Sequence, residues 1–181
     1  MPFDLMPVQS RRLNSNIELT MPKHMLRPQG DFPIAGLGRR LAAIFYDGLL
    51  CLAIAMVVTL AYQQGLLRAI YGNDQLKALA DAGALDADPL LASLVFLAVF
   101  AFFAKFWMHN GQTLGMQVWR IRVQNKDGTA ISLWQALLRF ITAIASWGFC
   151  GLGFWWMLWD KQRSSWHDHY SESVIVCLPK K

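Results

Sequence analysis

Arg40, Asp47, Lys105 and Arg139 are ionisable residues set within, or at the ends of, long apolar runs, and Asp168 stands in the tail that follows them. A charge at the centre of a membrane helix costs about +2.5 to +3.5 kcal/mol on insertion scales, so each such group needs a partner, water or a neutral form. Arg40 and Asp47 are seven residues apart, about 20° short of two helical turns, and so share one helix face. An acid so placed can carry a proton or a cation, because burial favours its neutral form and a neighbouring cation its charged form. It can equally serve as half of a structural ion pair. Lys105 lies at similar depth on the next apolar run, and Arg139 enters the third from the same side. One acid among three bases reads more simply as a structural pair, with Asp168 as a second negative charge if the tail folds back to Arg40.

His167, Asp168 and His169 form the other ligand-like grouping. A metal site needs three or four converging ligands, whereas residues two apart point to opposite faces of a strand and about 200° apart on a helix. His167 and His169 therefore suit a cytoplasmic interaction surface better than a metal centre. Cys51, Cys150 and Cys177 lack paired spacing, so neither a disulfide framework nor a metal knuckle is expected. No nucleophile–base arrangement, phosphate loop or cofactor fingerprint occurs, and the chain reads as non-enzymatic and without a cofactor.

The elements that position these residues are hydrophobic. Of 181 residues, 55% are hydrophobic and 16% charged, against about 25% charged in an ordinary soluble domain. Leu41 to Tyr62 runs apolar for 22 residues, enough to cross ~30 Å of hydrocarbon. Leu90 to Met108 is a second such run, opened by Asp88-Pro89 as helix cap and first turn and closed by Trp107, an aromatic-belt residue. The loop between holds Asp74, Asp81, Asp86 and Asp88 against Arg68 and Lys77, and its Leu66–Ala82 portion suits a short amphipathic surface helix. Basic residues mark the opposite side, giving a cytoplasmic amino terminus and a cytoplasmic loop around Arg120, Arg122 and Lys126. The formal net charge of +5 is accounted for by those flanks, without nucleic acid as a partner.

Residues 116–132 read as a cytoplasmic β-hairpin. Trp119, Ile121 and Val123 lie on one face, with Val118, Arg120, Arg122 and Gln124 on the other, a turn at Asn125–Gly128 and a return over Thr129–Leu133. The third hydrophobic element, 133–159, either crosses once or re-enters as a hairpin turning near Gly148, Gly151 and Gly153, with arms of about ten residues. The basic residues Lys161, Arg163, Lys180 and Lys181 favour the hairpin, which returns the tail to the cytoplasmic side. Within the tail, 160–178, Val174–Leu178 can pair with Val118–Val123. Residues 1–37, with five prolines and no sustained periodicity, read as a disordered polar arm and not a signal peptide, with Met21 and Met25 as alternative starts.

Several segments together resemble the RDD family of bacterial membrane proteins. They are Arg40 and Asp47, Gly111-Gln-Thr113-Leu-Gly115, Arg122-Val123 with Asp127-Gly128, Leu137-Leu-Arg139, and His167-Asp168. The family is named for one arginine and two aspartates, which match Arg40, Asp47 and Asp168. Met116 stands where the family often has lysine, and Glu172-Ser173 where Gly-Thr is usual. The resemblance covers roughly Gly36 to Cys177, giving a membrane domain over 38–178. It implies a multi-pass protein of the bacterial inner membrane, suspected of taking part in transport, with sodium/proton exchange attributed to some members. The expected architecture is an all-α membrane bundle with two full spans, a third re-entrant or spanning element and a small cytoplasmic β-element. The expected partners are the lipid bilayer and either further copies or a larger membrane complex, on which a non-transporting accessory subunit or assembly factor would dock.

Overall fold

A computed structural model describes residues 24–85, 87–149, 151–160 and 164–179. The expected basic residues Lys161, Arg163, Lys180 and Lys181, together with Asp86, Cys150 and residues 1–23, lie outside these. Helix α1 (Leu37–Leu60) runs through a π-helical segment (Ala61–Leu67) into α2 (Arg68–Asp81). The surface helix expected beyond the first span is thus continuous with it, and the chain kinks at Gly72. Helix α3 (Pro89–His109) starts where Asp88 accepts from the amides of Leu90 (2.8 Å) and Leu91 (3.4 Å), with Pro89 in the first turn. Proline has no amide hydrogen to satisfy there. Tyr62 donates to the same Asp88 carboxylate at 2.5 Å, tying the end of α1 to the start of α3.

Both helices are long and apolar enough to cross a membrane. Within the most apolar window of each, only 11% of residues are buried inside the molecule. Phe45, Leu52, Val57 and Leu97 face outward instead, as expected where the surroundings are hydrocarbon rather than water.

After α3 come a short helix α4 (Leu114–Val118), strand β1 (Ile121–Asn125) and helix α5 (Leu133–Gly148). The strand expected from Met116 begins later because Thr113 caps a helical turn, its side chain accepting from the Met116 amide. The expected return strand over Thr129–Leu133 does not form. Ser132 instead opens α5 through a reciprocal capping box with Gln135. The partner of β1 is β2 (Ser173–Cys177), antiparallel, with Val123 opposite Ile175. This is the tail pairing the β-branched run suggests.

From His24 onward the arm lies against the sheet. Met25 bridges Thr129, Ile34 bridges Val176, and the Ala35 amide donates to Ile175 (2.8 Å). Sheet edges supply the backbone partners that the prolines leave unpaired. The arm also covers the second face of β1, so all five strand residues are buried rather than alternating. Arg122 donates to Gln124 and to the Pro28 carbonyl, over the Phe32 ring at 5.4 Å.

Helix α5 is followed by α6 (Leu152–Trp155) and a 3-10 turn (Trp156–Leu158), bent 107° from α5. Gly151 makes the break in the left-handed region (φ 78°), open to glycine without the usual Cβ penalty. The two arms are unequal, sixteen residues against a four-residue helix, not the matched tens expected. Helix α7 (Trp166–Tyr170) then leads into β2. The core, including Ala43, Ala104, Trp107, Met116, Val123, Phe140 and Ile175, gathers at this sheet end of the bundle.

Candidate functional site

Four of the five predicted charged residues come together at the sheet end. The first turn of α1 and the second turn of α5 bring Arg40 and Arg139 onto Asp168, which sits in α7. Asp168 Oδ2 accepts from Arg40, and Oδ1 accepts from Arg139 at 2.8 Å. The aspartate also completes a capping box, its Oδ2 accepting from the Ser165 amide at 3.1 Å. Arg139 reaches further to Ser171 (3.4 Å) and Ser173 (2.5 Å), and stacks 5.7 Å from the Trp107 ring. Trp107 is therefore a core residue and not the interface-belt residue its position suggested. All three charged side chains are at most 4% exposed. Burial alone would raise the Asp168 pKa, but Arg139 and Arg40 hold it well below the usual carboxylate range.

Asp47 is buried on the same face of α1 as Arg40 but takes no part in this triad. Its Oδ2 accepts from Thr113 Oγ1 at 2.5 Å and its Oδ1 from the Gly115 amide at 2.9 Å. Among the described residues no cation pairs with it, which corrects the expected pairing with Arg40, Lys105 or Arg139. Gly115 is required by this approach: a Cβ there would lie 2.8 Å from Asp47 Oδ1 and against the Ala43 carbonyl. Lys105 stays outside the cluster. It follows the buried Ala104 by about 100° around α3 and is exposed, so its ammonium faces away.

His167 and His169 diverge on α7 as helix geometry requires, but only His169 is available to a surface partner. Its Nε2 lies 3.6 Å from Asp160. His167 is buried, its ring 4.5 Å from that of Phe154. Burial and then the Arg139 charge push its pKa down to about 3, against a smaller opposing pull from Asp168, so it is neutral. No hydrogen bond reaches its Nδ1.

The partners missed at the level of sequence are Thr113, Gly115 and the serines 165, 171 and 173. The Gly-x-Thr-x-Gly spacing carried the signal for the first two, since a capping threonine followed by a bare amide is an acceptor-seeking pair.

A cavity of about 690 Å³ opens between α1 and α5, floored by Phe103 and Trp107 of α3. Arg40, Asp47, Arg139 and His167 stand in its walls among mainly apolar neighbours.

No curated protein and no solved structure matches the chain. The family model described as RDD family matches residues 34–172, a span that takes in both long apolar helices, Arg40, Asp47 and the Asp168 triad. The chain belongs to the RDD family.

Proposed function

We propose that the chain is a multi-pass, non-enzymatic protein of the cytoplasmic membrane with a cytoplasmic amino terminus, taking part in ion/proton exchange as a homo-oligomer with Asp47 as the titrating group. The observation that carries this reading is that Asp47 lies buried on the first long apolar helix, in a cavity wall, held by a hydroxyl and an amide with no cation within ion-pair distance among the described residues. A carboxylate stabilised only by neutral donors keeps its net charge and so has reason to take up a proton or a cation. The Asp168 triad, by contrast, suits a structural clamp that holds α1, α5 and the tail together. The 107° bend between α5 and α6 and the pairing of β2 with β1 support a re-entrant third element and a cytoplasmic tail. Irregular backbone at membrane depth is tolerated where protein surrounds it.

The two long helices and one bent pair among the described residues are few to enclose a pathway, hence the oligomer. The same economy supports a second reading, an accessory subunit docked on a larger membrane complex. Reconstitution into vesicles carrying a sodium or potassium gradient and a pH gradient tests the first. Cation-dependent proton movement that disappears in Asp47→Asn is expected; movement unchanged by that substitution removes Asp47 from the role. Purification in mild detergent tests the second, since a stoichiometric foreign subunit would favour it.

A further inference from the structure

The cavity between α1 and α5 has more hydrogen-bonding capacity than the protein uses. Arg40 donates through Nε and Nη1 only, to Ala35, Ser165 and Asp168. Arg139 donates through Nη1 only, to Asp168, Ser171 and Ser173. Among the described residues, Nη2 of both guanidiniums and Nε of Arg139 make no hydrogen bond, and Nδ1 of His167 is fully buried without a partner. All three side chains line the cavity and are at least nine-tenths buried. Guanidinium N–H groups only donate, so those left unbonded toward the cavity call for acceptor oxygens.

The charges facing the cavity fix the kind of acceptor. Arg40 and Arg139 bring two positive charges, Asp47 in the wall and Asp168, paired with the arginines behind it, bring two negative ones, and His167 is neutral. Both carboxylates already accept from protein donors. An added anion would leave a net charge in low dielectric, which is costly, whereas a neutral carbonyl satisfies the donors and leaves the balance intact.

The remaining walls define the rest of the ligand. Phe103, Trp107, Phe140, Trp147 and Phe154 place aromatic rings around the cavity, suited to a planar ring in offset or edge contact. The volume falls within the range of small-molecule sites, ~300–1,000 Å³. The rims carry the exposed Phe45 and Trp147, apolar side chains along which a hydrocarbon tail can extend. We infer that this cavity binds a neutral, planar carbonyl compound with an apolar tail, of the quinone class, its carbonyl oxygens accepting from Arg40 and Arg139. The inference concerns binding alone and does not depend on whether Asp47 moves ions.

The test uses the full chain in neutral-lipid nanodiscs with three probes: decylubiquinone, decylbenzene, which has no acceptor, and dodecanoate, which adds a charge. Decylubiquinone is expected to bind saturably at one per chain, with each other probe at least about tenfold weaker, the scale of one charge-assisted hydrogen bond. Gly48 lines the cavity, and a Cβ there would meet nothing within 4 Å. Gly48→Leu therefore fills the site without disturbing the triad and is expected to weaken decylubiquinone about tenfold or more. Ala143→Phe, from the opposite wall, should do the same, while Ala145→Phe, exposed and outside the cavity, should not. Equal binding of decylbenzene or dodecanoate, non-saturable uptake, or full binding by a folded Gly48→Leu protein overturns the inference.

Discussion

Arg40 and Asp47 stand on one buried face of α1, 3% and 5% exposed, and yet they do not pair. Arg40 turns toward the tail and meets Asp168, while Asp47 turns toward α4 and meets Thr113 and Gly115. One helix face therefore makes two separate attachments, one to α7 and one to the start of α4. Two positive charges share one buried aspartate at the first attachment, and neutral donors serve one carboxylate at the second.

The triad is the more vulnerable attachment. Asp168→Asn would leave Arg40 and Arg139 buried without a counter-charge. Breaking a buried pair in this way costs about 3–5 kcal/mol. At roughly 2–4 °C per kcal/mol for a chain of this size, the midpoint of thermal unfolding in detergent should fall by at least about 6 °C. A shift within 2 °C of zero would mean that the arginines find other acceptors and that Asp168 is not the clamp.

Much of this architecture is legible in the sequence. Arg40 and Arg139 converge on Asp168 because two apolar segments must each hide a positive charge at the same boundary and the tail supplies the acid, and Asp88-Pro89 announces its helix by local chemistry alone. The Asp47 partners were harder to find, because a charge search looks for charges while the solution used a hydroxyl and an amide. Lys105 was misplaced by depth: residues at one depth can still face opposite ways round a helix, and α3 buries Ala104 and Trp107 but not Lys105. The pairing made by residues 24–36 was not legible because the prolines there suppress periodicity, and their backbone meets sheet edges that no local pattern reveals.

Acid should loosen the fold before carboxylates protonate. His167 titrates near 3 in the folded chain against ~6.5 when unfolded. Between those values the unfolded chain binds the proton and the folded chain does not, so acidification favours unfolding. Its contribution is intact above about pH 6.5 and falls by up to ~1.4 kcal/mol per pH unit below it. Asp168, depressed below its ordinary value, adds a further loss only below about pH 4. Thermal midpoints at pH 7.5, 6.5 and 5.5 should decline over the last step, and His167→Gln should flatten that decline. An equal decline in the variant would assign the titration elsewhere.

Gly115→Ala and Gly48→Ala make a matched pair of opposite sign. At Gly115 the new methyl would strike the Ala43 carbonyl and the Asp47 carboxylate, whereas at Gly48 it would enter open space. Forcing a methyl into a packed contact costs about 1–3 kcal/mol, while relieving a mid-helix glycine gains about 0.5–1 kcal/mol. Unfolding midpoints should therefore move in opposite directions. Two unchanged midpoints would show that α1 and α4 can separate freely.

Thr113 offers the sharpest test of the second attachment, because its one hydroxyl serves two elements. It donates to Asp47 at 2.5 Å and accepts from the Met116 amide at 3.2 Å, joining α1 to the start of α4. Thr113→Val keeps the shape and removes both bonds, at about 1–3 kcal/mol for the unsatisfied buried carboxylate oxygen and about 1 kcal/mol for the cap. Thr113→Ser keeps the hydroxyl and should recover most of that loss, minus a methyl. If Asp47 carries protons, the valine variant should also shift the pH at which exchange is half-maximal, since the bond from Thr113 favours the charged carboxylate and its loss makes the proton harder to release. The half-maximal pH should rise in Thr113→Val and stay near the parent value in Thr113→Ser. A valine variant that unfolds earlier but exchanges with the parent's pH profile would confine Thr113 to a structural part and separate Asp47 from the proton.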